Sequence, residues 1–230
     1  VVSLLGDRFR LGGTIVSEEV PAVFSNGKTW GIDRIVTEVA KEAINERETL
    51  KFVGLEGPST SLEKLYDFKI PGRSLYRWFL LEGRRFNVPT FFKVRTIERE
   101  LIELGDRHRL DILLVVAAVV QEGKRGIGME NPWAWVGGKP HMFASFRVFV
   151  IDLFGRKIIA AHSFLGTKEI DREYWDTNLV TMTDKRLYEL TVALRNILEK
   201  KIEAVVQHSR FRPVPKKIKE LLKGSAKDVP

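Results

Sequence analysis

Cysteine is absent from all 230 residues. That excludes disulfides, thiolate nucleophiles and cysteine-liganded metal centres such as zinc ribbons and iron–sulfur clusters, without choosing between redox compartments. Long apolar runs are also missing. The longest, 112–120, has nine residues, about half of the ~20 that a bilayer-spanning helix needs, so no transmembrane span is expected. The four histidines, at 108, 141, 162 and 208, never recur at i, i+4, and no metal site is expected from them. A Gly-x-Ser-x-Gly elbow, a complete phosphate-cradling glycine loop and the Asx-rich calcium loop are all lacking. No cofactor is therefore expected, and no internal repeat or low-complexity linker divides the chain.

What is present has the composition of an ordinary globular protein, with 44% hydrophobic and 30% charged residues. The length suits a single domain rather than a many-domain machine. The net charge of +8 is unevenly placed: residues 210–230 hold seven Lys or Arg against Glu220 and Asp228, a net of +5. We expect one domain over 1–209 and a basic tail over 210–230 in which a short amphipathic helix covers 216–223. A second basic stretch, 69–109, carries ten Lys or Arg against five acids and reads as a solvated helical face. Opening at Val1 rather than Met, the chain reads as a processed or trimmed product, and a secretory signal ahead of it fits that reading.

The expected fold is α/β (α+β), a mixed sheet packed by helices. Residues 1–5 are β-prone, and 9–11 followed by Gly12-Gly13 with 14–20 read as an opening hairpin. Ile32, Ile35, Val36, Val39, Ala40, Ala43 and Ile44 share one face of a helix over 32–45. Residues 51–55 suggest a short strand. A helix over 90–104 is expected to end at Gly105. The uninterrupted apolar run 112–120 predicts a strand covered on both faces and central in the sheet. Residues 142–151 and 157–165, joined by Asp152-Leu153-Phe154-Gly155, predict an antiparallel ribbon spanning 142–165. A long helix over 184–207, capped by Thr181 or Thr183, presents Leu187, Leu190, Leu194, Ile197, Leu198 and Val205 as its apolar stripe.

Segment 121–140 reads as a long loop, with five glycines and two tryptophans, and loops of that length are often binding loops. Gly126 and Gly128 form a fragment of a phosphate-cradling pattern, and Trp133 and Trp135 offer stacking faces, with packing over the end of the core as the alternative. Downstream, Glu169, Asp171, Glu173 and Asp176 surround Tyr174 and Trp175, forming either a solvated loop or a contact surface. The enzyme-like pair is Ser145 and His162: a two-residue turn at Leu153-Phe154 would set the hydroxyl directly across from the imidazole. No orienting carboxylate is identifiable, and an ordinary cross-strand contact is the preferred reading. Gly6-Asp7 resembles a Gly-Asp-Ser start, but Arg8 occupies the nucleophile's position. His108 sits at a helix end, where a cation is favourable without any catalysis.

This order of elements resembles the extracytoplasmic α/β domains of curli-export lipoproteins and the amino-terminal domain of TolB, in which a mixed sheet is packed by helices. The opening 1–7, followed by Trp30-Gly31-Ile32-Asp33 ahead of a helix, adds a second likeness: it is similar to exported proteobacterial proteins of unknown function. The resemblance implies an exported, periplasmic domain that binds other envelope components as a non-enzymatic binding or assembly module, and it transfers no catalytic residue. The basic tail reads as solvated or docked on the body, with an acidic surface or partner, or an anionic membrane, as the alternative. The alternatives are a serine esterase-type hydrolase on Ser145 and His162, and a cytoplasmic nucleic-acid-binding protein acting through its tail. Nucleic acid is disfavoured because Phe211 is the only aromatic residue there.

Overall fold

The computed structural model describes residues 1–6, 8–12, 17–21, 30–53, 99–121, 124–131, 138–155, 157–172 and 184–209. They form an α/β fold in which a mixed sheet carries helices on both faces. The strands are β1 (Val2–Leu4), β2 (Arg8–Gly12), β3 (Ser17–Pro21), β4 (Ile112–Ala118), β5 (Val120–Gln121), β6 (Lys124–Glu130), β7 (His141–Asp152) and β8 (Lys157–Glu169). The helices are α1 (Ile32–Asn45), α2 (Arg99–Arg107) and α3 (Asp184–His208).

The organising strand is β7. Its whole length pairs antiparallel with β8 on one edge, while on the other edge β4 covers residues 146–152 and β6 covers residues 141–145. Ala118 stands opposite Phe146 and Gly126 opposite Ser145. Thus 112–130 is one long strand interrupted by a seven-residue excursion, 119–125. β1 runs parallel to β4 and β2 parallel to β6, so the amino-terminal strand is broken at the same level. The sheet therefore reads β3, β1 with β2, β4 with β6, β7, β8. As the apolar run predicts, β4 lies inside the sheet with neighbours on both edges, and β2 with β3 is the expected opening hairpin.

Alternation along the strands splits the apolar residues between two faces. Leu114, Val116, Ile127, Met129, Met142, Ala144, Phe146, Val148 and Val150 face α1 and α3, whose predicted stripes are buried against them. Val2, Leu4, Leu113, Val115, Ala117, Phe149, Ile151 and Leu153 face α2 through Leu101 and Leu104. The helices on the main face are tied by polar links as well. The Trp30 indole donates to Thr191 Oγ1 (2.9 Å), the Asp33 carboxylate accepts the Gly6 N–H (3.1 Å), and Arg47 donates to the Val206 and Ser209 carbonyls at the end of α3.

Three expectations need correction. Residues 51–53 form no strand. The loop read over 121–140 contains β6, a strand held between β2 and β7. Gly105 does not end α2, which continues to Arg107. Gly105 is instead a close-packing position, where an added Cβ would lie 2.8 Å from Leu153 Cδ2. The actual stop is a Schellman turn: the Arg109 N–H bonds to the Asp106 carbonyl (3.1 Å) and the Leu110 N–H to the Gly105 carbonyl (3.0 Å), with Arg109 at φ 53°. His108 sits in this turn, in accord with its reading as helix-end punctuation. The part of the expected helix at 90–98, the caps Thr181 and Thr183, and the tail 210–230 fall outside the described residues.

An arginine held at positive φ costs about 1–2 kcal/mol in backbone strain that glycine escapes. Arg109→Gly should therefore raise the unfolding free energy by about 0.5–1 kcal/mol after glycine's entropic penalty. Gly105→Ala should lower it by about 1 kcal/mol, because overpacking against Leu153 outweighs the gain in helix propensity. Urea denaturation of the two variants measures both; a stabilised Gly105→Ala would refute the packing role.

Candidate functional site

Ser145 and His162 are not brought together. Residues Asp152 and Lys157 pair around a four-residue connection, with a register irregularity near Val150 and Ile151, so Ser145 stands opposite Leu165 and His162 opposite Val148. Cross-strand partners share a face. His162 consequently lies on the α3 side, exposed and stacked on Phe164 at 6.2 Å. Ser145 lies on the opposite side of the sheet, fully buried. A nucleophile–base dyad from these two residues is excluded by the alternation of the strand.

The serine has a structural task instead. Where the long strand breaks, the Val119 N–H donates to the Ser145 carbonyl (3.3 Å), and the Ser145 hydroxyl donates to the Val119 carbonyl (2.8 Å). A part-buried carbonyl that the ladder does not serve is thereby satisfied. Gly126 brings the chain back into the ladder at φ 67°, a conformation that side chains resist. Gly128 sits where a Cβ would approach the Phe143 ring at 2.6 Å and Arg10 Cβ at 2.9 Å. Both glycines predicted for a binding loop are buried strand residues, Gly126 serving the backbone's return to the ladder and Gly128 the sheet's own packing.

The pairing also gathers the loop stems at one end of the sheet. Gly12 stands opposite Glu130, Glu130 opposite His141, and His141 opposite Glu169, making one row across four strands. From this row depart 13–16, 132–137 and, after Ile170, the segment that includes 173–183. The last two are stitched together at their bases. The Ile170 N–H donates to the Pro140 carbonyl (3.0 Å), Arg172 Nη2 donates to the Gly138 carbonyl (3.3 Å), and Lys139 pairs with Glu169. Glu130 is held by Lys124 at 2.7 Å. Asn131, first residue beyond β6, is buried, and among the described residues its Oδ1 has no hydrogen-bond partner. Trp133, Trp135, Tyr174 and Trp175 fall outside the described residues, although their segments leave from these adjoining stems. Sequence reasoning singled out both segments without relating them, because only the register of β6, β7 and β8 places Glu130, His141 and Glu169 side by side.

The stem charges are mutually compensated. The hydrogen bond from Lys139 holds the Glu169 carboxyl below its ordinary range, with the charges of Lys139 and His141 acting in the same direction. The same bond holds the Lys139 ammonium above its own range. Among the described residues, no group of three or more His, Asp or Glu side chains is arranged to hold a metal ion. No helix among them is long and apolar enough to cross a membrane.

No protein-family model matches the chain, and no curated protein does. Among solved structures, the chain is similar to the crystal structure of protein XCC0632 from Xanthomonas campestris, of family DUF330. The identity is 10% and the TM-score 0.27, over 46% of this chain and 54% of that one. The matched region thus spans about half of each protein.

Ser145→Ala should cost about 1–3 kcal/mol by leaving the Val119 carbonyl unserved, whereas His162→Ala, at an exposed position, should change stability by less than about 0.5 kcal/mol. Equal effects in denaturant titrations would contradict the assignment. The Glu169 carboxyl, followed by NMR, should titrate below other exposed glutamates. Because its folded value is depressed, the benefit of the pair is present above the unfolded value and disappears as pH falls through the folded one. Lys139→Met should return the titration toward the ordinary range; an unmoved midpoint would show that the pair does not form in solution.

Proposed function

We propose that this protein is a non-enzymatic binding or assembly module of the bacterial envelope, acting in the periplasm. It engages its partner through the segment carrying Trp133 and Trp135, together with the neighbouring segment carrying Tyr174 and Trp175. The observation that carries this reading is the stitching of Gly138 and Pro140 to Ile170 and Arg172. Two aromatic segments, far apart in sequence, leave the sheet from one shared base, a paired rigid scaffold of the kind on which binding loops are commonly mounted. The fate of Ser145 supports a non-enzymatic role, since its hydroxyl is buried and committed to a carbonyl. The compartment rests on the resemblance to curli-export lipoproteins and the TolB amino-terminal domain.

Two measurements test the proposal. Fractionation of cells producing the protein from its full reading frame should recover it in the periplasm; recovery in the cytoplasm would overturn the envelope assignment and favour nucleic acid at the basic tail. Trp133→Ala with Trp135→Ala should reduce capture of the envelope partner at least tenfold while the circular dichroism and melting temperature stay unchanged. The same loss is expected of Tyr174→Ala with Trp175→Ala, because both segments share the surface. Undiminished capture by either pair would remove that segment from the site.

A further inference from the structure

A second surface lies along β8. Residues 160–169 pair with 150–141 of β7 in unbroken register, and among the described residues the other edge of β8 has no strand beside it. Ala161, His162, Thr167, Lys168 and Glu169 are exposed. A run of this length leaves a row of outward N–H and C=O groups, which favours addition of another extended segment.

The side chains along this edge specify what that segment should carry. Ala160, His162, Phe164, Gly166 and Lys168 share the face toward α3, since their partners on β7 are Val150, Val148, Phe146, Ala144 and Met142. No acidic residue interrupts this row. Phe164 is half-buried and packs on Phe146 at 5.6 Å, with His162 stacked beside it and Lys201 of α3 placed over its ring at 5.8 Å. Gly166 leaves a gap in which α3 approaches through Ile197. The strip therefore presents, in order, an imidazole, an aromatic ring, a glycine covered by Ile197 and an ammonium, with Lys201 adding positive charge beside the ring. The one carboxylate of the strand, Glu169, belongs to the opposite face and is engaged by Lys139.

We propose that the β8 edge is a strand-addition site for an extended acidic segment of a partner protein. The backbone of that segment continues the sheet. On the α3 side its acidic residues stand opposite His162 and Lys168, six positions apart, and apolar residues between them lie beside the half-buried Phe164. The residues it uses, on β8 and α3, are not those through which the proposed function acts, so either reading can fail without the other.

The test uses the full chain and ten-residue peptides with Glu at i and i+6, Val at i+2 and i+4, and Thr between. A control replaces both Glu by Lys, and a second control places Pro at two central Thr positions. Fluorescence anisotropy should show the acidic peptide binding at least tenfold more tightly than the lysine control, more weakly as salt rises, and with the proline control near background. Hydrogen exchange should slow at the outward amides of 160–169. Lys168→Glu, at an exposed position, should keep the circular dichroism of the parent and reverse the preference between the acidic and lysine peptides. Equal binding of the two peptides, unchanged exchange over 160–169, or self-association of the chain through β8 in sedimentation would each overturn the proposal.

Discussion

Every strand position in this sheet is set by β7, because a single unbroken strand of twelve residues is paired along both edges. Backbone N–H and C=O groups cannot be buried without partners. A continuous ladder on β7 therefore forces the chain facing it to align in two pieces, β4 and β6, with the surplus expelled as the excursion at 119–125. The break then creates local needs of its own. A buried hydroxyl at Ser145 answers the Val119 carbonyl, a residue free to take positive φ stands at position 126, and a second glycine at 128 lets β2 and the Phe143 ring close in. Residues that resemble functional ones in isolation are thus accounted for by one structural event.

The same constraint places the surfaces. Fixed register assembles Gly12, Glu130, His141 and Glu169 into one row and brings the stems of two aromatic segments within backbone hydrogen-bonding distance. Strand alternation, meanwhile, sends Ser145 and His162 to opposite faces, which no side-chain rotation can reverse. The α1 and α3 face supplies most of the core, and α2 closes the other face over β1, β4 and the second half of β7. Among the described residues β8 is left at the margin, packed by α3 on one side and with no strand beside its outer edge.

Much of this architecture was legible in the residues. The 3.6-residue periodicity of α1 and α3 is strong enough that the predicted buried positions, such as Ile35, Val39, Leu194 and Leu198, are buried. The run at 112–120 carries its own evidence of a doubly covered strand. β6 was harder to read: Ile127 and Met129 alternate correctly, but Gly126 and Gly128 occupy the intervening places and mimic a loop. Gly105 misled for the opposite reason. Glycine near a helix end usually marks the stop, yet here it relieves a contact with Leu153 from a distant hairpin, while Arg109 takes the strained position. Counting the Asp152–Gly155 connection as a two-residue turn shifted Ser145 by three places and produced a dyad that the sheet does not form.

By itself, the sequence determined the class of fold, its two principal helices, its interior strand and the exclusion of cysteine chemistry, because periodicity and composition are local properties. The tertiary structure decided register, face and neighbourhood: that Ser145 is a buried hydrogen-bond donor, that the glycines at 126 and 128 belong to a strand, and that segments some forty residues apart share a base. These depend on which strand lies beside which, and a displacement of one residue reverses every side chain. No window of sequence contains that information, since it arises only when distant backbone groups must satisfy one another in the same sheet.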